Sequence, residues 1–114
     1  MPTPDQKSNV SSAILAIRSA QNLLQQQINN SIDILIAIKL TNEYNSLDSR
    51  VTQLVHAQTA ADDAIFSQAI ATLKSPTGGL QADEATIKTI ISDVGTAAKI
   101  VNYITQALGF IAKL

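Results

Sequence analysis

The fold is decided by one stretch of the sequence, Lys74-Ser75-Pro76-Thr77-Gly78-Gly79-Leu80. Pro76 cannot continue a helix, and Gly78-Gly79 offers the positive φ angles of a tight reversal. Lys74 suits the last turn of a helix that ends here, and a further helix is predicted to begin near Leu80. Few other glycines or prolines interrupt the chain, so long helices are predicted on both sides of this boundary.

The segment after the boundary is predicted to form a helix over about 80–113. Steps of four and three residues along it give a run without bulky apolar side chains: Lys88, Ser92, Gly95, Lys99, Asn102, Gln106, Gly109 and Lys113. This run is a narrow solvent stripe, and the tracks on either side of it are apolar. The apolar arc is therefore wider than the roughly 100° with which a helix faces two neighbours in a bundle.

We expect another molecule to cover this surplus, because monomers rarely keep a large contiguous apolar patch in water. The alternative is that the helix lies at the centre of a well-packed domain whose other helices cover it. The interface prediction loses its basis if a single molecule buries Ile100, Ile104, Phe110 and Ile111 in its own interior. The residues predicted to form the interface are Ile90, Ile100, Tyr103, Ile104, Leu108, Phe110 and Ile111.

The first helix is predicted over about 4–40 and begins with Thr3-Pro4-Asp5-Gln6, which reads as a capping box with proline at the first helical position. Apolar residues at spacings of three and four, typical of helices that pack side by side, continue from Val10 to Ile38. The segment 32–40 also alternates as a strand would. We reject the strand because no second strand is available to pair with it.

A second helix is predicted over about 46–74, after the turn-like cluster Thr41-Asn42-Glu43-Tyr44-Asn45-Ser46. The helical spacing of Leu40, Tyr44, Leu47 and Val51 continues through this cluster, so the first two helices are alternatively one bent rod. The predicted fold is a single all-α domain over 1–114, an elongated antiparallel up-down-up bundle of three long helices. Oligomerisation is a further way to complete such a bundle.

The composition limits the classes of function. The chain has 114 residues, of which 46% are hydrophobic and only 15% charged, and its net charge is −1. No basic surplus points to nucleic acid, and the absence of cysteine removes thiol catalysis and disulfides. A neutral polar surface of this kind permits close association between similar chains.

No constellation of catalytic residues is evident. The single histidine, His56, has no metal-binding or acidic residue three or four positions away, and Asp62 and Asp63 point in directions about 100° apart on a helix. The segment 75–79 lacks the lysine of a phosphate loop. We therefore predict a protein without enzymatic activity, metal, cofactor or small-molecule substrate.

The leading hypothesis is a structural or interaction module that associates through its last helix with another copy or with a helical partner. The alternative is an amphipathic protein that uses the same helix to bind or insert into lipid membranes. We expect no cleavable signal peptide and no transmembrane span, which favours the cytoplasm. The composition is similar to that of leaderless secreted helical proteins of bacteria, such as flagellin-type rods and small helical-hairpin secretion substrates. This resemblance implies leaderless secretion as another route. The chain has no tryptophan, however, for the Trp-x-Gly turn of the helical-hairpin substrates.

Overall fold

The computed structural model describes residues 2–75, 79–91 and 93–114, and these are arranged in five α-helices without strands. The all-α prediction is confirmed, whereas the prediction of three long helices is wrong. The helices are α1 (Pro4–Asn30), α2 (Ile34–Gln58), α3 (Asp63–Lys74), α4 (Leu80–Ile90) and α5 (Val94–Ala112).

The helices occupy four positions of an antiparallel bundle that measures 46 × 22 × 20 Å. α2 runs antiparallel to α1, since Gln58 near the end of α2 donates a hydrogen bond to Ser11 near the start of α1. α3 and α4 lie one after the other along α2 and share the third position. α5 returns antiparallel to α4, where Thr105 bonds to Glu84, and packs on α1.

The start of α1 is confirmed in detail. The Thr3 hydroxyl accepts a hydrogen bond from the Gln6 amide at 3.2 Å, and the Gln6 side chain accepts one from the Thr3 amide at 2.8 Å. Pro4 occupies the first helical position, where its missing N–H leaves no carbonyl unpaired. These residues form the predicted capping box, so this helix begins where its sequence indicates.

The predicted break at 41–45 is wrong. α2 continues through that cluster because Leu40, Leu47 and Leu54 form one buried face of the helix. The break lies instead between Asn30 and Ile34, where the Asp33 side chain accepts a hydrogen bond from the Leu35 amide at 2.9 Å. Asp33 thus starts α2 by satisfying an amide that has no partner within the helix.

Two further breaks divide the second and third predicted helices. After each break, an aspartate caps the start of the next helix. Asp62 caps α3 by accepting from the Ile65 amide at 2.9 Å. Asp93 caps α5, and hydrogen bonds from the Thr96 hydroxyl and then from the Gly95 amide hold the pKa of its carboxyl below the ordinary value. Asp62 is therefore an exposed residue with a structural role, as the N-cap of α3.

The boundary after Lys74 is confirmed, since α3 ends at Lys74 and α4 begins at Leu80. Pro76, Thr77 and Gly78 lie outside the described residues. Gly79 does not have the positive φ that we expected; its φ is −122°. It is glycine for a different reason, because a Cβ atom there would lie 2.7 Å from the Ser75 carbonyl oxygen and would also press on the Leu73 carbonyl.

Replacing Gly79 with alanine is expected to destabilise the protein by about 1–3 kcal/mol, because backbone atoms must move to admit the methyl group. Urea unfolding followed by circular dichroism measures this change. Gly109→Ala is the matched control, since a Cβ there meets no atom within 4 Å and alanine favours the helix. An unchanged midpoint for Gly79→Ala would contradict the steric explanation.

Candidate interaction surface

The structure shelters the centre of the predicted interface. Ile100, Ile104 and Ile111 are fully buried within one molecule, and Ile90, Tyr103, Leu108 and Phe110 are half-buried against the core. These three isoleucines therefore do not contribute to the exposed apolar surplus that was expected on the last helix. The side chains are buried because α1, α3 and α4 all pack against α5, whereas the prediction allowed only two neighbouring helices.

The predicted solvent stripe is confirmed for the residues that the structure describes. All are exposed, whereas Ser92 lies outside the described residues. The stripe comprises Lys88, Gly95, Lys99, Asn102, Gln106, Gly109 and Lys113.

Exposed apolar side chains gather instead at one end of the bundle. Among the described residues, eight large hydrophobic side chains are exposed, and five of them lie at or beside the α1–α2 and α4–α5 turns. We name these five the apical patch. Its members and their exposed fractions are Ile32 (99%), Ile34 (74%), Leu35 (69%), Ile38 (52%) and Val94 (80%).

The two turns lie side by side. Residues of both turns line one shallow cavity of about 200 Å³, with Ser31 from the first turn and Asp93 from the second. Ile36 on α2 and Ile90 on α4 form part of the same wall. The chain thus places the start of α2 next to the start of α5.

The sequence carried a signal for this patch that the prediction did not use. The alternating segment 32–40 contains isoleucine or leucine at six of its nine positions. Wound as a helix, such a segment is apolar over more than the arc that one side of a bundle can bury. Leu40 is buried, and the residues on the other side of the helix, such as Ile34 and Leu35, are left in water.

An apolar groove of about 570 Å³ lies along α5 beside the end of α4 and includes one residue of the patch. Val94 belongs to both the groove and the patch. Ile91, Ala97 and Val101 form the rest of its apolar lining, and Lys88 lies at its polar margin. The groove therefore includes one member of the apical patch, Val94, and follows the outer side of α5.

A buried polar cluster joins α2 to α4 nearby. Glu43 and Asp83 are only 6% and 3% exposed. The Asp83 carboxylate accepts hydrogen bonds from Ser46 at 2.8 Å and from the Arg50 guanidinium at 3.1 Å. Burial, followed by the charge of Asp83 and a hydrogen bond to it, raises the pKa of Glu43 to about 7, against the opposing effect of Arg50.

A separate buried polar contact joins α1 to α2. Gln21 on α1 is fully buried, and its amide donates to the Tyr44 carbonyl on α2 at 3.1 Å. Arg18 donates in turn to the Gln21 side chain at 2.8 Å and pairs with Asp48 at the surface. This chain of bonds fixes the register of α1 against α2.

The described residues do not bring the other candidate catalytic or metal-binding side chains together. His56 is exposed in the last turn of α2, and no three histidine, aspartate or glutamate side chains there lie close enough to hold a metal ion. None of the helices described is long and apolar enough to cross a membrane. The apolar surface is thus the feature that calls for a functional explanation.

Comparison with known proteins adds no relative on which to base a function. No family model, no curated protein and no solved structure matches this chain.

Proposed function

We propose that this protein is a non-enzymatic interaction module that associates with a second copy of itself through the apical patch. One observation carries the proposal: five of the eight exposed large hydrophobic side chains among the described residues share one end of the bundle. Monomers rarely expose contiguous apolar patches beyond a few hundred Å². A surface of this kind is normally covered by a partner.

The charges around the patch support a second copy as the partner. Asp33 and Asp93 lie at the two turns, and Lys39 follows Ile38 on α2. In a two-fold contact the same surface meets itself, so a patch that carries both signs can pair acid with base across the axis. The low net charge of −1 adds little repulsion between copies.

The proposed association surface differs from the interface predicted on the last helix. The last helix contributes Val94 at its start and the groove along its outer side, but its central isoleucines belong to the core. Most of the proposed contact comes from the start of α2. The proposal therefore moves the association surface from the middle of the last helix to the end of the bundle.

A lipid surface is the second candidate. Ile32 is 99% exposed at a turn, which is where a side chain can enter the outer part of a bilayer. Asp33 and Asp93 beside it are unfavourable for anionic headgroups, so this candidate ranks behind self-association.

The Leu35→Asp variant tests the proposal. We expect it to weaken self-association at least about 100-fold, because a two-fold contact buries the new charge twice. Stability should change by no more than about 0.5 kcal/mol, since Leu35 is exposed in the first turn of α2, where the helix dipole favours an acid. Sedimentation equilibrium over a concentration series measures the association constant.

Leu15→Asp is the matched control, because Leu15 is 68% exposed but lies on α1, far along the chain from both turns. This variant should associate as the natural sequence does. Flotation with phosphatidylcholine vesicles separates the lipid candidate. A protein that stays monomeric at millimolar concentration would overturn self-association, and binding to vesicles that Leu35→Asp abolishes would establish the lipid candidate in its place.

A further inference from the structure

The α1–α2 turn carries an apolar side chain that stands clear of its own molecule. Ile32 is 99% exposed, so it fills no groove of the chain to which it belongs. It lies in non-helical backbone between the end of α1 at Asn30 and the start of α2 at Ile34. Side chains along a helix form a rounded surface, whereas a side chain at a narrow turn projects from it. Ile32 can therefore enter a concave site on another molecule.

The groove along α5 is a concave site with apolar walls. Its lining includes the buried Ile91 and Ala97 and the half-buried Val101. The short side chain of Ala97 leaves room between the two larger ones. Cavities of roughly 300–1,000 Å³ accommodate molecules of the size of a drug, so a groove of about 570 Å³ can admit the tip of a turn.

The charges beside the turn and beside the groove are complementary. No carboxylate belongs to the described lining of the groove, and Lys88 at its margin forms no ion pair with a described residue. Glu84, one turn earlier on α4, instead accepts a hydrogen bond from Thr105 at 2.9 Å. Asp33 follows Ile32 directly, and only one of its carboxylate oxygens has a partner among the described residues, the amide that it caps. An acid at the turn thus matches a base at the groove.

We propose that the α1–α2 turn of one copy inserts into the α5 groove of a second copy, with Ile32 against Val101 and Asp33 paired with Lys88. The exchange is reciprocal, because a two-fold axis makes each copy both give its turn and receive that of the other. The inference rests on the proposed self-association through the apical patch and names the surface that the patch meets. Val94 belongs to both surfaces, so the turn enters beside a residue of the patch.

One reciprocal contact covers the apolar side chains that most need a partner. Among the described large hydrophobic residues, Ile32 and Val94 have the highest exposed fractions, 99% and 80%. Insertion buries Ile32 in the groove and places it near Val94 of the second copy. Each copy thus supplies what the other lacks, and no different protein is required to cover either residue.

Disulfide formation between single-cysteine variants tests the insertion, since the natural chain has no cysteine. Ile32→Cys is mixed with Val101→Cys under mild oxidation, and intact mass spectrometry identifies which chains are linked. A disulfide requires that the two Cα atoms lie within about 7 Å of each other. We expect this link to form at least about tenfold faster than one between Ile32→Cys and Leu15→Cys, the control at an exposed site on α1 outside the groove.

Sedimentation equilibrium of the natural chain distinguishes failure of the insertion from failure of self-association. If the natural chain associates but Ile32→Cys links only to other copies of itself, the insertion is overturned and the proposed function is retained. If the natural chain stays monomeric, both are overturned. A link to Leu15→Cys that forms as fast as the link to Val101→Cys would indicate random collision and would also overturn the insertion.

An exchange of charges tests the ion pair independently. Lys88→Asp places two acids together at both ends of the reciprocal contact, so self-association should weaken by about tenfold or more. Adding Asp33→Lys to that variant should restore most of the affinity, which a mere loss of stability would not allow. Lys99→Asp, exposed on the same solvent stripe but outside the groove lining, should associate as the natural sequence does. A double variant that associates no better than Lys88→Asp would refute the pairing.

Discussion

Ile104→Asp is expected to unfold the protein even in the absence of denaturant. Ile104 is fully buried on α5, and an aspartate there would lose its hydration without gaining a partner charge. Such substitutions cost more than about 4 kcal/mol, which is comparable to the whole stability of a small domain, about 5–15 kcal/mol. Far-UV circular dichroism and thermal melting measure the loss.

Asn102→Asp is the control for this substitution, since Asn102 is exposed on the solvent stripe of the same helix. It should melt within a few degrees of the natural sequence. Comparison of the two variants shows whether the middle of α5 belongs to the core of one molecule or to an interface between molecules. A folded, cooperative Ile104→Asp variant would show that α5 is more accessible than the structure allows, and would return the association surface to the middle of that helix.

Arg50→Met is expected to lower the free energy of unfolding by about 3 kcal/mol at pH 8. The Arg50 side chain is only 14% exposed, and its removal leaves two buried carboxyl groups without their cation. Methionine keeps the apolar stem, so the change reports mainly on charge. A loss of this size lowers Tm by about 10 °C or more in a domain of this length.

The loss should be smaller at pH 5, because protons can then neutralise the carboxyl groups that Arg50 no longer pairs. Asp48→Asn is the matched control, as the Arg18 pair with Asp48 is about half exposed on both sides and contributes at most about 1 kcal/mol. Chemical denaturation of both variants at the two pH values tests the comparison. Equal effects for Arg50→Met and Asp48→Asn would contradict the buried-cluster interpretation.

Local signals in the sequence were sufficient for the features that depend on a few neighbouring residues. The capping box at Thr3 and Gln6 and the end of α3 at Lys74 required only short-range chemistry. The solvent stripe of α5 followed from helical periodicity. Each of these is determined by the chain within one or two turns.

The helix breaks were missed because two local signals compete. Asp33, Asp62 and Asp93 each favour a helix start, but apolar residues continue at helical spacing on both sides of them. The helical spacing alone predicts uninterrupted helices at all three positions. Aspartates followed directly by an apolar residue mark the starts at Asp33 and Asp93, whereas Asp63 separates Asp62 from the apolar run of α3.

The burial of Ile100, Ile104 and Ile111 could not be predicted from the sequence because it depends on how many helices surround α5. Dividing the third position between α3 and α4 gives α5 a third neighbour, which covers Ile104 and its companions. The Glu43–Asp83 contact likewise joins residues far apart in the sequence. Only the packed bundle determines which residues remain exposed.

The packing of α1 on α5 also constrains how the protein is made. α1 is synthesised before α5 and packs in part against it, so a portion of the apolar face of α1 has no partner until α5 has been made. α2 can pair with α1 early, but that hairpin alone exposes surface that sticks to other nascent chains. Translation that stalls before α5 would therefore release an aggregation-prone fragment rather than a smaller stable bundle.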